Sequence, residues 1–245
     1  MPDKPVDEDL SSFDAPPALV IFDCDGVLVD SEPLAARVNA ELLGELGWHV
    51  SEEELARRFI GTSASHFRAE VEAHIGRPVP ESWDARFRDR FEELAETDLA
   101  SVKGVKEVVA GLAALGVPRC VASNSRRVRV LWMLRRTGLM EYFSEAHVFS
   151  GRDVAAPKPA PDLFLHASAV LGVAPAGAVV VEDSRFGVEA AKRAGMVVFG
   201  YAGGLTPASD LVEATEVFED MAQLPGLFGL DPPAQAQSRV RGTLG

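Results

Sequence analysis

The distribution of hydrophobic residues divides the chain into a short buried strand, a helical stretch, and a longer region of alternating strands and helices. The first strand is the apolar run 18–22, which lacks the polar alternation of a half-exposed strand. A continuous apolar run is typical of a parallel strand buried on both faces. Asp23, Cys24, Asp25 and Gly26 follow immediately, so the chain leaves this strand through an acidic turn.

Residues 33–97 have the three- to four-residue hydrophobic spacing of amphipathic helices. The first predicted helix repeats a leucine or valine at every fourth position and ends at Gly47. A capping-box pattern at residues 51–54 opens a second helix that runs to Phe59. Two more amphipathic helices are predicted before residue 97. Together these helices predict a small bundle inserted after the first strand.

Strands and helices alternate from about residue 98, which predicts a parallel sheet with helices on both faces. The predicted strands are 118–124, 147–149, 178–183, 196–201 and 216–218, and the predicted helices include 126–137, 161–171 and 186–194. The expected fold class is therefore α/β, a Rossmann-like, doubly wound parallel sheet core with an inserted all-helical cap domain. Because the insertion follows the first strand, it is expected to lie over the carboxyl edge of the sheet as a lid.

The predicted domain organisation follows from the same pattern. Residues 1–16 are expected to form a disordered leader and residues 231–245 a mobile tail, because both are polar and rich in proline or glutamine. The sheet core is predicted at 17–32 and 98–230, and the helical cap at 33–97.

Composition narrows the possible partners and the location. The formal net charge is −13, which disfavours nonspecific binding to nucleic acid or to an anionic membrane. An anionic substrate would therefore need a local source of positive charge. Neither a membrane span nor a signal peptide is recognisable, so a cytoplasmic location is expected. Cys24 and Cys120 are expected to be reduced thiols in buried strands.

Polar side chains capable of catalysis follow several of the predicted strands. Because the carboxyl ends of parallel strands meet at one edge of a sheet, these groups are expected to converge. Each also has an ordinary interpretation as a turn, a strand end, a loop charge or a helix cap. The candidates are Asp23, Asp25, Ser123, Asn124, Lys158, Glu182 and Asp183.

Converging carboxylates repel one another unless a hard divalent cation binds them, and the five histidines show no ligand spacing, so Mg²⁺ is the expected cofactor. Mg²⁺ also allows an anionic nucleophile to approach an anionic phosphoryl group. In this chemistry Asp23 attacks phosphorus and Asp25 protonates the leaving oxygen, then deprotonates water. Ser123 and Lys158 hold the phosphoryl oxygens.

The same residues resemble the four motifs of the haloacid dehalogenase superfamily, in the family's order and over about residues 18–225. The matching segments are Phe22 to Ser31, Ala122-Ser123-Asn124, Lys158-Pro-Ala-Pro-Asp162 and Val181-Glu182-Asp183-Ser184. The helical insertion resembles the cap of the β-phosphoglucomutase-like branch. The resemblance implies Asp23 as nucleophile, Asp25 as general acid and base, and Ser123 and Lys158 as phosphate contacts. It also implies a Mg²⁺ site made by Asp23, the backbone carbonyl of Asp25 and Asp183, with Glu182 close by.

Two departures from related enzymes favour hydrolysis of a phosphate ester. The dehalogenases proper lack the second aspartate, which is present here as Asp25. The β-phosphoglucomutases carry a histidine and a cap arginine where this chain has Ala35 and, approximately, Ala64. The sequence looks most like bacterial sugar-phosphate phosphatases, with a small phosphorylated metabolite as partner. A phosphosugar mutase and a non-catalytic phosphometabolite-binding regulator remain alternatives.

Substrate-binding residues are expected at Gly61, Ser123, Asn124 and Lys158, with Gly61 in the loop of the cap that faces the sheet. The cap arginines could bind a second anionic group, although ordinary solvated helix charges are favoured for each of them. They are Arg57, Arg58, Arg86, Arg88 and Arg90. The sequence makes no prediction of oligomeric state.

Overall fold

The computed structural model describes residues 16–59, 62 and 64–230, and within these it contains a six-stranded parallel sheet. The strands are β1 (Leu19–Phe22), β2 (Arg119–Ser123), β3 (Val148–Ser150), β4 (Ala178–Glu182), β5 (Val197–Tyr201) and β6 (Glu216–Phe218). Their spatial order is β3-β2-β1-β4-β5-β6. This order places β1 at the point where the chain switches direction across the sheet, which is where α/β sheets bind ligands.

Helices flank the sheet and form an insertion between β1 and β2. The insertion helices are α1 (Glu32–Glu45), α2 (Glu52–Phe59), α3 (Ala64–Ile75) and α4 (Trp83–Asp98). The helices that follow are α5 (Val105–Ala114), α6 (Arg127–Arg136), α7 (Asp162–Val170), α8 (Arg185–Arg193) and the short α9 (Leu224–Leu227). The predicted fold class, a Rossmann-like parallel sheet with an all-helical insertion, is confirmed.

Both faces of the sheet are buried, as the continuous apolar run of β1 predicts. Leu19 and Ile21 pack into one hydrophobic cluster, whereas Val20 and Phe22 pack into a second cluster on the other face. The second cluster extends into the insertion and includes Phe91 of α4. Burial on both sides is the environment in which uninterrupted apolar strands are stable, because no polar face has to meet solvent.

The two connections between the sheet and the insertion are hydrogen-bonded to each other. The N–H of Asp30 donates to the carbonyl of Ala100 at 3.0 Å, and the N–H of Val102 donates to the carbonyl of Leu28 at 3.0 Å. The outgoing and returning segments therefore leave the carboxyl edge of the sheet side by side, next to the residues that follow β1.

Several sequence expectations differ from the structure in detail. His147, predicted in a strand, lies in a 3-10 turn, and β3 continues instead to Ser150. Cys24 is buried but follows β1 rather than lying in a strand. Gly61, residues 1–15 and residues 231–245 lie outside the described residues, so the predicted leader, tail and cap-loop contact stay predictions. The predicted domain limits also stay predictions.

Among the described residues, no helix is both long enough and apolar enough to cross a membrane.

Candidate active site

Lys158 joins two of the carboxylates at the carboxyl edge of the sheet. Its Nζ lies 2.6 Å from Oδ1 of Asp23, which follows β1, and 2.6 Å from Oε1 of Glu182, which ends β4. The lysine is only 5% exposed and its ammonium lies 4.8 Å from the ring centroid of Phe164. Burial by itself lowers the pKa of Lys158, but Asp23 and Glu182 outweigh it and raise the pKa, so the ammonium stays charged.

Asn124 fixes the backbone of Lys158 with both polar atoms of its side chain. The N–H of Lys158 donates to Oδ1 of Asn124 at 3.0 Å, and Nδ2 of Asn124 donates to the carbonyl of Lys158 at 3.2 Å. A buried loop residue has no strand ladder to satisfy its backbone groups, and the carboxamide supplies both partners. The sequence predicts Asn124 as a substrate contact; the structure directs its side chain to Lys158.

Glu182 is held from the start of α8. The N–H and Oγ of Ser184 donate to Oε2 of Glu182 at 2.8 and 2.9 Å, while Lys158 contacts the other carboxylate oxygen. Any side chain at Gly187 would collide with this carboxylate, since a Cβ there would lie 1.9 Å from Oε1 of Glu182. The loop that follows β4 therefore orients Glu182, and both of its carboxylate oxygens already accept hydrogen bonds from Lys158 or Ser184.

Asp183 reaches across to the turn after β1. A Cβ at Gly26 would lie 2.0 Å from Oδ2 of Asp183, and Gly26 has a φ of +79°. Both the positive φ and the close approach of the carboxylate require glycine at this position. Asp183 therefore packs against the turn that contains Asp23 and Gly26. Residues that follow two neighbouring strands are thus close enough to bind one metal ion together.

Asp25 is held by hydroxyl groups from two segments of the chain. Ser31 Oγ donates to Oδ1 of Asp25 at 2.7 Å, and Ser125 Oγ donates to Oδ2 at 2.8 Å. Ser123 Oγ lies 3.4 Å from Oδ2 and itself accepts the N–H of Ser125 at 3.1 Å. These contacts link the turn after β1 to the end of β2.

Arg129 of α6 lies between Asp25 and the insertion. Its Nη2 lies 3.7 Å from Oδ1 of Asp25, and its guanidinium lies 4.3 Å from the ring centroid of Phe91 in α4. Its Nε is buried without a hydrogen-bond partner among the described residues. Glu32, at the start of α1, is a further carboxyl of this region: burial first, and Asp25 second, raise its pKa to about 7, while Arg129 opposes the shift.

The donor set fits a divalent cation. Burial raises the pKa of Asp23 well above its usual range; Lys158 opposes this, and Glu182 and Asp25 add to it. Burial also raises the pKa of Asp183, followed by Glu182 and Asp23. The carboxylates of Asp23, Asp25, Glu182 and Asp183 outnumber the Lys158 ammonium and the Arg129 guanidinium by two. A divalent cation would balance this excess negative charge. No three His, Cys, Asp or Glu side chains within the described ranges form a ready metal cage, whereas Mg²⁺ needs only one or two carboxylates with water and substrate oxygens.

The structure brings most of the predicted site residues together at one edge of the sheet and leaves Gly61 undescribed. The residues brought together are Asp23, Asp25, Ser123, Asn124, Lys158, Glu182 and Asp183. Sequence reasoning did not assign Ser31, Ser125, Arg129 or Glu32 to the site. Ser125 directly follows the candidate Asn124, and Ser31 and Glu32 lie shortly after the acidic turn. Their closeness in sequence to predicted site residues could have indicated these three. Arg129 carried no such signal, because it lies within α6 rather than at the end of a strand.

Comparison with known proteins assigns this chain to a family. Residues 20–201 match the family model described as haloacid dehalogenase-like hydrolase. A phosphorylated carbohydrates phosphatase of Thermotoga maritima is 34% identical over 200 residues, covering 81% of this chain and 91% of the relative. The 6-phosphogluconate phosphatase of Escherichia coli K12 is 28% identical over 210 residues, covering 85% and 93%.

A solved structure has the same fold. The crystal structure of a haloacid dehalogenase family hydrolase from Deinococcus radiodurans R1, with bound phosphate and sodium, superposes with a TM-score of 0.75 at 34% identity. It covers 90% of this chain and all of that one (100%). The chain described here belongs to the haloacid dehalogenase-like hydrolases, as its motifs predict.

Proposed function

We propose that this protein is a Mg²⁺-dependent phosphatase that hydrolyses a small sugar or polyol phosphate monoester through an aspartyl-phosphate intermediate. The protein is an enzyme acting on phosphoric monoesters, which is the activity named for its relatives. The single observation that carries the mechanistic proposal is the Lys158 ammonium between Asp23 and Glu182, with Asp25 on the neighbouring turn.

Asp23 is the proposed nucleophile. Its carboxylate attacks phosphorus, the bond from phosphorus to the ester oxygen breaks, and an acyl phosphate forms on Asp23. Lys158 contacts Asp23 in the structure, so its charge is available to the phosphoryl oxygens at the same place. Ser123, at the end of β2, is the proposed hydroxyl contact to those oxygens.

Asp25 is the proposed proton carrier. In the first step its carboxyl gives a proton to the departing alkoxide, and in the second it takes a proton from the water that attacks the acyl phosphate. Phosphate then leaves and the Asp23 carboxylate is restored. Asp25 suits both steps because hydroxyl groups of Ser31 and Ser125 orient it without neutralising it.

Asp23, Asp183 and the backbone carbonyl of Asp25 are the proposed Mg²⁺ ligands. Phosphatases of this family generally use Mg²⁺. When bound, the cation supplies the positive charge that lets a carboxylate approach a phosphoryl dianion. Glu182 is proposed as an outer partner, since its two oxygens already accept from Lys158 and Ser184.

The choice of water over a second sugar hydroxyl rests on Ala35, at the position where mutases of this branch carry histidine. Its methyl side chain cannot transfer a proton. The test is turnover of a panel of sugar and polyol phosphates with Mg²⁺ or with EDTA, for the wild type and for Asp23→Asn. Free phosphate released only by the wild type with Mg²⁺ is the expected result. Isomerised sugar phosphate would instead support the mutase, and ligand binding without turnover would support a regulator.

A further inference from the structure

A cleft between the insertion and the sheet adjoins the candidate active site. It has a volume of about 120 Å³ and is lined by the end of α2, the start of α8, and the loop between β5 and β6. Ser184 lines the cleft, and its hydroxyl also donates a hydrogen bond to Glu182. One of the residues that line the cleft therefore directly follows Asp183 in the sequence.

The walls of this cleft are basic, although the protein as a whole is strongly acidic. Arg57 and Arg58 come from α2 and Arg185 comes from α8, whereas Asp210 is the acidic residue of the lining. Arg58 already pairs with Glu54 and Glu70 of the insertion. Neither Arg57 nor Arg185 pairs with a carboxylate within the described part of the chain, and the Arg185 guanidinium lies 4.6 Å from the ring centroid of Phe186. The cleft is therefore lined by two guanidinium groups that no described carboxylate neutralises.

The cleft also contains a buried polar group without a partner. Thr206 is 5% exposed and lines the cleft, and its Oγ1 has no hydrogen-bond partner among the described residues. A buried hydroxyl left unpaired destabilises the folded state, and a ligand oxygen placed in the cleft would remove this penalty. This observation is independent of the arginines.

A larger neighbouring cleft provides a contrast. It has a volume of about 580 Å³, and its lining includes Glu52 and Glu53 beside largely apolar residues of α1. Both clefts include Leu205, but the larger one would repel an anion, whereas the smaller one would attract it.

We propose that the cleft between Arg57 and Arg185 binds a second anionic group of the substrate, a carboxylate or a second phosphate. The preferred substrates are then small phosphate esters that carry this further charge, and the inference rests on the proposed phosphatase function. In a protein with a net charge of −13, the guanidinium pair supplies the local attraction that such a substrate requires. Because one arginine belongs to the insertion and the other to the sheet side, the bound anion contacts both.

The test uses pairs of substrates that differ in this one group. Gluconate 6-phosphate and glucitol 6-phosphate differ only in a carboxylate against a hydroxymethyl group, and fructose 1,6-bisphosphate and fructose 6-phosphate differ in a second phosphate. We expect kcat/KM for the wild type to favour the member with two anionic groups, here called the doubly anionic ester, in at least one pair by about tenfold or more. This is the effect of one charged hydrogen bond. The pair that shows the preference identifies the anion.

Arg57→Met and Arg185→Met are each expected to remove most of that preference by raising KM for the doubly anionic ester about tenfold, with little change in kcat. The ester whose phosphate is its one anionic group should be unaffected. Arg88→Met is the matched control, because Arg88 is an exposed cap arginine paired with Asp89. Thr206→Val should weaken binding of the doubly anionic ester and leave binding of the other ester of the pair unchanged.

Hydrolysis of both members of both pairs with equal kcat/KM by the wild type would overturn this inference while leaving the phosphatase function intact. An unaltered preference in both arginine variants would overturn it as well. If no ester of the panel is hydrolysed, the proposed function fails instead. Calorimetric titration of Asp23→Asn with the same esters then decides the subsite, since tighter binding of the doubly anionic member must be lost with Arg57→Met and Arg185→Met.

Discussion

The carboxamide of Asn124 forms two hydrogen bonds to the backbone of Lys158, one to its N–H and one to its carbonyl. This pair connects the end of β2 to the loop that carries the lysine. The Lys158 ammonium lies 2.6 Å from Asp23, so Asn124 sets the position of a charge at the proposed nucleophile without contacting that nucleophile itself.

Asn124→Ala is expected to lower kcat by about 10²-fold, because a displacement of the ammonium by about 1 Å has an effect of that size. It should also cost about 1–3 kcal/mol of unfolding free energy, since a buried N–H loses its acceptor. Steady-state kinetics and urea unfolding measure the two effects. Asn39→Ala, in α1, is the control and should change neither. Full activity in Asn124→Ala would show that Lys158 does not depend on this clamp.

Arg129→Met is expected to slow hydrolysis of alkyl phosphates more than hydrolysis of p-nitrophenyl phosphate. Arg129 lies 3.7 Å from Asp25, and an alkoxide needs a proton from a well-placed acid, whereas nitrophenolate leaves without one. We expect a loss of about tenfold or more for the alkyl ester, a part of the usual contribution of general acid catalysis. Arg135→Met, on the same helix and paired with Glu145 at the surface, is the control. Equal losses for both esters would contradict a role in positioning Asp25.

Glu32 makes the stability of the metal-free protein depend on pH. Its pKa is raised from 4.5 to about 7, chiefly by burial, so the folded state binds this proton more tightly than the unfolded chain does. Stability from this group is therefore fully present below pH 4.5 and is lost as pH rises towards 7. Glu32→Gln cannot ionise, so it should exceed the wild type in stability increasingly from pH 5 to pH 8.

Urea unfolding in EDTA at several pH values measures this difference. Glu53→Gln, at an exposed position of α2, is the control and should follow the wild type. Asp23 and Asp183 also have raised pKa values in both proteins. Because Glu32 contributes to the raised pKa of Asp183, its replacement also lowers that pKa and adds to the stability gained at higher pH. A constant difference between Glu32→Gln and the wild type across this range would contradict the raised pKa of Glu32.

The two thiols are expected to be unreactive in the folded protein. Burial raises the pKa of Cys24, with further contributions from Asp25 and Asp23, and burial also raises the pKa of Cys120. Since the thiolate is the reactive form, iodoacetamide at pH 8 should modify neither in the native state and both in urea. Mass spectrometry counts the added groups. Rapid modification of Cys24 in the native protein would contradict its burial and its raised pKa.

The sequence predicted those features that depend on local pattern. The helix 52–59 and the strand 216–218 have the limits expected from the capping box and from the short apolar run. Gly47 follows the first helix with a φ of +92°, as a residue that ends a helix in the left-handed region. The parallel order of strands and the convergence of their carboxyl ends also followed from the alternation of strands and helices.

Contacts made across the chain could not be predicted in the same way. The side chains of Ser31 and Ser125 meet on Asp25 although 94 residues separate them, and this follows from the packing of two loops rather than from either sequence. Arg129 lies within α6, and only the folded structure brings it close to Asp25 and to Phe91 of the insertion. His147 was placed in a strand because a short apolar run does not define its own limits.

Rapid acid quenching tests directly whether Asp23 is phosphorylated during turnover. The wild type is mixed with Mg²⁺ and a ³²P-labelled ester from the panel, quenched within milliseconds, and digested. We expect the label on the peptide that contains Asp23, as an acyl phosphate that hydroxylamine removes, and no label in Asp23→Asn. Turnover without any labelled peptide, together with retained activity in Asp23→Asn, would contradict Asp23 as the nucleophile.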